Sequence, residues 1–350
     1  MSSPSFERID YQLRYNKHIE RKLVFDILLS AKLLVDLSGY QYLGLGSMWF
    51  ADFRLAHRIL GLRDMISIEF EEYADRASFN QPYKSIDLKR GKSTDVLQSF
   101  SGPDWIRPIV SWMDYDGCLG VSIVRDLELI LEKCAPNSVL MVTINAARKN
   151  YRPRRTNTET DKTRAVTALG QIEGLLGAES IPARYEPGIT EGGVHNDVTE
   201  EMFPEFIAEA MLTFMAHKLA RSGREIQVME GTETKSTPLT FVPLLNCCHK
   251  DGVEMITVGG AIVTAGKEAP WEAIAAKIAP LQPNKVPAHQ MLDLVPITAK
   301  EKIVLDRCLP QDSEGFLSMA KEHGIKLPDD QLAKYFRYYQ HFPVFLESPL

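Results

Sequence analysis

The stretch whose reading decides the fold is LTFVPLLNCCHKDGVEMITVGGAIVT, Leu239 to Thr264. Two apolar runs flank Lys250-Asp251-Gly252, and Asp-Gly between such runs is the strongest short-range hairpin signal a sequence offers. An antiparallel pair is therefore expected here, and what it completes depends on what precedes it. Five short strand-like runs do: QYLGLG (41–46), MISIEF (65–70), KSIDLK (84–89), PIVSWMD (108–114) and SVLMVTIN (138–145). WFADFRLAHRILG separates the first two and VSIVRDLELILEKCAP the last two, both amphipathic and both ending in Gly or Pro. Strands alternating with helices, several of them continuously apolar, predict a parallel sheet covered on both faces, closed by the hairpin. Ahead of the sheet, NKHIERKLVFDILLSAKLLVDLS (16–38) has helical periodicity, with Asn16 as its cap and Gly39 as its stop.

Composition sets the class. At 350 residues, 45% hydrophobic and 25% charged, the chain can bury a sizeable core. A net charge of −6 and a pI near 5.8 give no global basic field for nucleic acid, although a local patch is compatible with one. The five cysteines have no C-x-x-C spacing and are odd in number, which fits reduced thiols in a cytoplasm. No apolar run approaches the roughly 20 residues of a membrane span, and the N-terminal stretch has no secretory core, so neither a membrane anchor nor export is expected. The middle (146–235) reads as a basic loop followed by interrupted helices. From Pro270 onward the chain is helix and linker, with LQPNKVPAHQ as a connection and DDQLAKYFRYYQHF as a late aromatic helix.

The chemistry-bearing residues gather where the strands end. Gly44, Gly46 and Ser47 follow the first strand, where glycines permit a sharp turn and close backbone approach to a ligand. Glu69 ends the second strand 23 residues past Gly46, near the offset at which a carboxylate accepts ribose hydroxyls in a doubly wound sheet; in EFEEY it also fits a solvated helix start. Ser93 and Thr94 follow the third strand, where a loop can close over an adenine ring. Asp114, Asp116 and Gly117 crowd the end of the fourth, the edge at which open α/β sheets bind ligands. An acid there serves to hold an ammonium, orient a substrate or move a proton, and DYDG also fits a plain turn.

YLGLGS, SIE, GKSTDVL, WMDYDG and the late hairpin together resemble the class I S-adenosylmethionine-dependent methyltransferase core. YQLRYNKHIERK, YLGLGSMWFADF, MISIE, WMDYDG and KYFRYYQHFPVF are similar, more narrowly, to a bacterial family described as O-methyltransferases. The resemblance implies a Rossmann-like sheet of seven strands, mostly parallel with the last antiparallel. Around it stand an N-terminal helical segment (1–38), a core (39–265) with a helical insertion at about 146–235, and a helical C-terminal extension (266–350). It implies S-adenosylmethionine as cofactor, with Gly44, Gly46 and Ser47 beneath its methionine part, Glu69 on the ribose, Ser93 and Thr94 near adenine, and Asp114 by the amino-acid end or the reacting centre. Met48 replaces the third glycine of the loop, and Lys92 stands where many methyltransferases place an acid. These departures support a second reading, a catalytically degenerate module that binds a nucleotide, nucleic acid or partner protein.

Methyl transfer from a sulfonium needs alignment and, for a hydroxyl acceptor, a base. The chain lacks the Asn- or Asp-Pro-Pro-aromatic motif suited to exocyclic amines of adenine or cytosine and lacks a Pro-Cys pair, which leaves an oxygen, the preferred acceptor, or a small-molecule nitrogen. Asp114 and Asp116 are the expected catalytic acids, with His195 and His249 as further candidate bases. Asp114 with Asn145 is too small a set to hold a divalent cation, and no cluster has zinc spacing, so no metal is expected. Arg148, Lys149, Arg152, Arg154 and Arg155 with Tyr151 follow the fifth strand; arginine forks suit phosphate and carboxylate, and an aromatic among them suits a base. The expected substrate is an anionic small or nucleotide-like molecule, and a nucleic acid also fits. Oligomeric state is not legible.

Overall fold

The computed structural model describes residues 14–151, 167–185, 198–230 and 233–343. Helix α1, Tyr15–Ala31, leads into β1, Gln41–Gly44; then follow α2, Ala51–Leu55, with a π-helical turn to Leu60, and β2, Asp64–Glu69. Next come α3, Glu71–Phe79, β3, Ile86–Arg90, α4, Ser93–Ser99, α5, Gly102–Trp105, β4, Ile109–Cys118, α6, Val121–Lys133, and β5, Val139–Asn145. After α7, Ala168–Leu176, and α8, Phe203–Arg221, the chain forms β6, Glu225–Glu230, β7, Glu233–Lys250, and β8, Glu254–Thr264. Helix α9, Ala269–Ile278, strand β9, Gln290–Leu292, and helices α10, Ala299–Arg307, α11, Ser313–Glu322, and α12, Asp329–Tyr338, complete it.

The strand order is β3-β2-β1-β4-β5-β8-β7-β6, with β9 on β7. Strands β1 to β5 pair in parallel, β8 is antiparallel to β5, and β7 pairs antiparallel with β8. That is the class I methyltransferase sheet, and the hairpin around Asp251 supplies its two last core strands. The sheet has nine strands where seven were expected. The surplus is β6, folded back on the first residues of β7, and β9, three residues parallel to Cys247–His249. Within the hairpin, Gly259 and Gly260 let three strands close: a Cβ would fall 2.2 Å from Leu140 O at the first and 2.2 Å from Val242 O at the second.

The period-two alternation of the buried strands sorts the core into two layers. Leu43, Met113, Leu140 and Val142 face α6 and α8, whereas Tyr42, Val110, Trp112 and Met141 face α1 and α2. Leu305, Phe316, Leu332 and Tyr335 of α10 to α12 join this second layer, so the C-terminal helices pack over the same face as α1.

Helix α1 differs from its expected bounds. It stops at Ala31, and Asp36 caps a separate 3-10 turn at Leu37–Gly39 by accepting from Ser38 N. Asn16 is not its cap: it lies inside the helix and is buried, and the N-cap Arg14 makes no side-chain cap bond. The cap comes from the distant hairpin turn. Asp251 accepts from Asn16 N at 3.1 Å and Lys17 N at 2.8 Å, while Asn16 Nδ2 donates to Lys250 O at 3.2 Å and Asn16 Oδ1 accepts from Leu294 N at 2.9 Å. The first helix is thus seated by the element that decides the fold.

Candidate active site

The parallel pairing brings the ends of β1, β2 and β4 to one edge. Gly44 is in register with Ser67 and Trp112, Glu69 with Arg90, and Asp114 with Thr143. The turn after β1 is tight because Phe50 and the β2 residue Ser67 fill it. At Gly46 a Cβ would meet Ser67 Oγ at 2.6 Å and the Phe50 ring at 2.7 Å, and Gly46 N donates to Ser67 Oγ at 3.1 Å. Gly44 is similarly restricted, with Trp112 O at 3.0 Å and Asp52 Oδ2 at 3.3 Å from a Cβ. Ser47 and Phe50 take left-handed backbone angles, φ 46° and 48°, which turn the chain into α2. Asp52, in that helix, accepts from Tyr42 Oη at 2.6 Å, and burial pushes its carboxyl up.

Glu69 is a buried acid at the end of β2. Its Oε1 accepts from Phe70 N at 2.9 Å. Burial pushes its carboxyl up, the Phe70 bond opposes this, and the nearby Asp116 charge adds to the rise. A desolvated acceptor at this corner is what ribose hydroxyls need. Ser93 and Thr94 both donate their hydroxyls to the buried carboxylate of Asp126 on α6, which also accepts from Tyr115 Oη at 2.6 Å. Their side chains brace the loop after β3 against α6, leaving backbone as what this loop offers a ligand.

Asp114 joins a buried polar chain that sequence reasoning missed. Its Oδ1 accepts from Lys17 Nζ at 2.9 Å, and Lys17 Nζ lies 2.7 Å from Glu20 Oε2 and 5.1 Å from the centre of the Trp112 ring. Lys17 and Glu20 side chains are 4% and 0% exposed, against 30% for Asp114. Glu20 Oε1 accepts from Thr257 Oγ1 and from His249 Nδ1, the latter at 2.9 Å. Trp112 Nε1 donates to Thr143 Oγ1 at 3.0 Å, which leaves the Thr143 hydroxyl proton for Thr257 Oγ1 at 2.6 Å. Burial pushes Glu20 up, but His249 and Lys17 overcome it and hold the carboxyl well below its usual range. Burial lowers Lys17 while Asp114 and Glu20 more than offset it, so its ammonium is held above its usual value. The signal available in the sequence was Lys17 and Glu20, three apart in YNKHIERK, which is also how a solvated helix face looks.

Two expected residues find other roles. His249 is no free base: it is buried and its Nδ1 is committed to Glu20. Tyr151 does not offer its ring for stacking on a substrate. It is buried against Phe203, with ring centroids 5.0 Å apart, and its hydroxyl donates to Asn145 O and accepts from Leu119 N at 2.8 Å. Asn145, half-buried, has its Oδ1 accepting from Ala147 N at 3.0 Å and Asn150 Nδ2 at 3.1 Å. Asp116 is exposed, and Arg148 stands beyond β5 with Glu200 3.4 Å from its guanidinium. Arg152, Arg154, Arg155 and His195 lie outside the described residues. Among the described residues no group of three or more His, Cys, Asp or Glu is placed to hold a metal, and no helix is long and apolar enough to cross a membrane.

Comparison with known proteins adds the family. The family model described as "Putative O-methyltransferase" matches residues 9–350. The curated proteins contain no match. Among solved structures, a "putative S-adenosylmethionine dependent methyltransferase" from Listeria monocytogenes is similar at 10% identity, over 68% of this chain and 98% of that one, with a TM-score of 0.32. The plantazolicin methyltransferase BpumL, solved with S-adenosylhomocysteine, is similar at 14% identity over 70% of this chain and 84% of that one, TM-score 0.32. A Haloferax volcanii "putative methyltransferase", solved with the Trm112 methyltransferase activator, matches at 16% identity and TM-score 0.29; the match takes in 37% of this chain and spans 56% of that one's length. Superpositions this loose carry no argument about the site. The match across 9–350, on a sheet of the order described above, shows the family: the chain belongs to this family of class I S-adenosylmethionine-dependent methyltransferases.

Proposed function

We propose that the protein transfers a methyl group from S-adenosylmethionine to an oxygen of an anionic small or nucleotide-like molecule. The observation that carries this reading is the buried carboxylate of Glu69 at the ligand-facing sheet edge, beside the Gly44–Ser47 turn and across from Asp114. The donor set fits a cationic adenosyl ligand: one desolvated acid for a diol, and a half-exposed acid, Asp114, for an ammonium. The cofactor, when bound, supplies an activated methyl on a sulfonium.

This chain's residues then bind and align. Glu69 accepts the ribose hydroxyls. The turn at Gly44, Gly46 and Ser47 passes beneath the methionine part, and the Ser93-Thr94 loop, braced by Asp126, lies beside adenine. Asp114 faces the amino-acid end or the reacting centre, and the exposed Asp116 accepts the acceptor's hydroxyl proton. Arg148 with Arg152, Arg154 and Arg155 attracts the anionic part of the substrate.

Titration calorimetry with S-adenosylhomocysteine tests the cofactor site, and heat with NAD but with neither adenosyl-sulfur compound refutes it. Radiolabelled cofactor incubated with a cell extract, split into nucleic-acid, protein and small-molecule fractions, tests the acceptor. Label in the small-molecule fraction that is lost in Asp116→Ala supports the reading. Cofactor binding without label in any fraction supports the binding-only module, and Arg152→Glu with Arg154→Glu then abolishes nucleic-acid binding if phosphates are the ligand.

A further inference from the structure

Burying a lysine and a glutamate together is costly. Replacing such a pair by apolar groups is often neutral or stabilising, so stability alone does not account for it. Glu20 already has His249 and Thr257 on Oε1, and what Lys17 adds is a link from that network to Asp114. The link is rigid at both ends. Lys17 N donates to Asp251, and its Nζ spans Glu20 and Asp114 while lying 5.1 Å from the centre of the Trp112 ring.

We propose that Lys17 is a positioning residue of the cofactor's amino-acid subsite, holding Asp114 Oδ1 so that the second carboxylate oxygen is left for the ligand's ammonium. The inference rests on the methyltransferase reading above and deepens it. Glu20, fully buried behind Lys17, offsets the lysine charge, so the triad presents one net negative charge at its exposed member, Asp114. A cation is what such an edge attracts. Tyr42 and Asp52 also feel the Asp114 charge and are bonded to each other at 2.6 Å, and the buried Arg21 guanidinium acts on both of them and on Lys17.

The test uses two ligands, S-adenosylhomocysteine and methylthioadenosine, which shares the adenosine and thioether but lacks the amino-acid end. Both are titrated calorimetrically into the full chain. Lys17→Met is expected to weaken S-adenosylhomocysteine about tenfold or more while leaving methylthioadenosine within about twofold, since loss of a bond to a charged group is worth ~1.5–3 kcal/mol. Lys17→Arg, whose guanidinium spans two carboxylates, restores most of the affinity. Asp114→Asn shows the same selective loss, and the double variant shows no further loss, because Lys17 acts through Asp114. Equal weakening of both ligands by Lys17→Met, or no weakening, overturns the inference. Additive losses in the double variant overturn it too, since Lys17 then meets the ligand directly. If wild type binds neither ligand, the methyltransferase site fails and the inference falls with it.

Discussion

Replacing Asp251 by Ala should unseat α1 while leaving the hairpin's backbone ladder intact. The carboxylate accepts three bonds across the length of the chain, from Asn16 N at 3.1 Å, Asn16 Nδ2 at 3.0 Å and Lys17 N at 2.8 Å. Two of those donors are free amides of the first helical turn, and Arg14 at the N-cap supplies no side-chain bond. A side-chain cap contributes ~1–2 kcal/mol and bonds to a charged acceptor ~1.5–3 kcal/mol; the two overlap here, so ~2–3 kcal/mol is the expected loss. With an unfolding entropy of about 2.1 cal/mol/K per residue, a chain this long gives roughly 0.7 kcal/mol/K, so the melting temperature falls by about 3–4 °C. Asp251→Asn keeps one oxygen as acceptor and should lose about half as much. Differential scanning calorimetry of both variants decides it. A fall of less than about 1 °C in Asp251→Ala, or an equal fall in both, refutes the capping argument.

Glu69→Gln should raise the melting temperature at neutral pH and weaken S-adenosylhomocysteine about tenfold or more. Burial, opposed by the Phe70 bond and reinforced by Asp116, raises the native pKa of Glu69, so the native state binds more protons and pays for the ionised form. The gain is therefore full above the raised native value and vanishes as pH falls below the ordinary carboxylate range; melts between about pH 4 and 8 read it, and a gain that grows on acidification contradicts the sign. Tyr151→Phe removes the acceptor of Leu119 N and should cost ~1–3 kcal/mol of stability while cofactor affinity stays within about twofold. An affinity loss at unchanged stability restores Tyr151 to the ligand site. Gly259→Ala forces a Cβ to 2.2 Å from Leu140 O, so β5 and β8 cannot pair in register and the cooperative melt disappears; Gly174→Ala, with nothing within 4 Å of its Cβ, melts as wild type or slightly higher.

The parts of the fold visible in the sequence are those whose signal is local. β1, β2, β4 and β5 are buried on both faces, so they read as continuous apolar runs, and Asp251-Gly252 marks its own turn. β6 has no such signal: EIQVME is polar, with Met229 exposed, and it is a strand because β7 lies beside it. Three residues of β9 are too few for any period. The early end of α1 is a different case: the apolar spacing continues through Leu33 and Leu34, yet both are exposed, and nothing in the packing explains why the helix stops at Ala31. At the sheet edge, the place of Glu69 at the end of β2 was legible from its distance to the glycine turn, a property of the strand order. Lys17 and Glu20 were not, and His249 was read as a base rather than as the buried partner of Glu20, because their burial is made by partners 97 to 237 residues away.

Those long separations have a consequence for the site. The polar chain draws Trp112 from β4, Thr143 from β5, Thr257 from β8, and Glu20 and Lys17 from α1, and each hydroxyl has one proton to donate in one direction. Asp114 therefore receives its lysine only when β8 has paired with β5 and Asp251 has seated α1. A defect at the hairpin turn must then reach the sheet edge through α1, although Asp251 makes no bond to Asp114. Asp251→Ala should accordingly reproduce the Lys17→Met pattern in weaker form, losing S-adenosylhomocysteine affinity by a few-fold and sparing methylthioadenosine. Combined with Lys17→Met it should cost stability but no further affinity, because the lysine it positions is gone. A loss of methylthioadenosine binding in Asp251→Ala would place the damage in the adenosine pocket and separate the hairpin turn from the acid it is argued to serve.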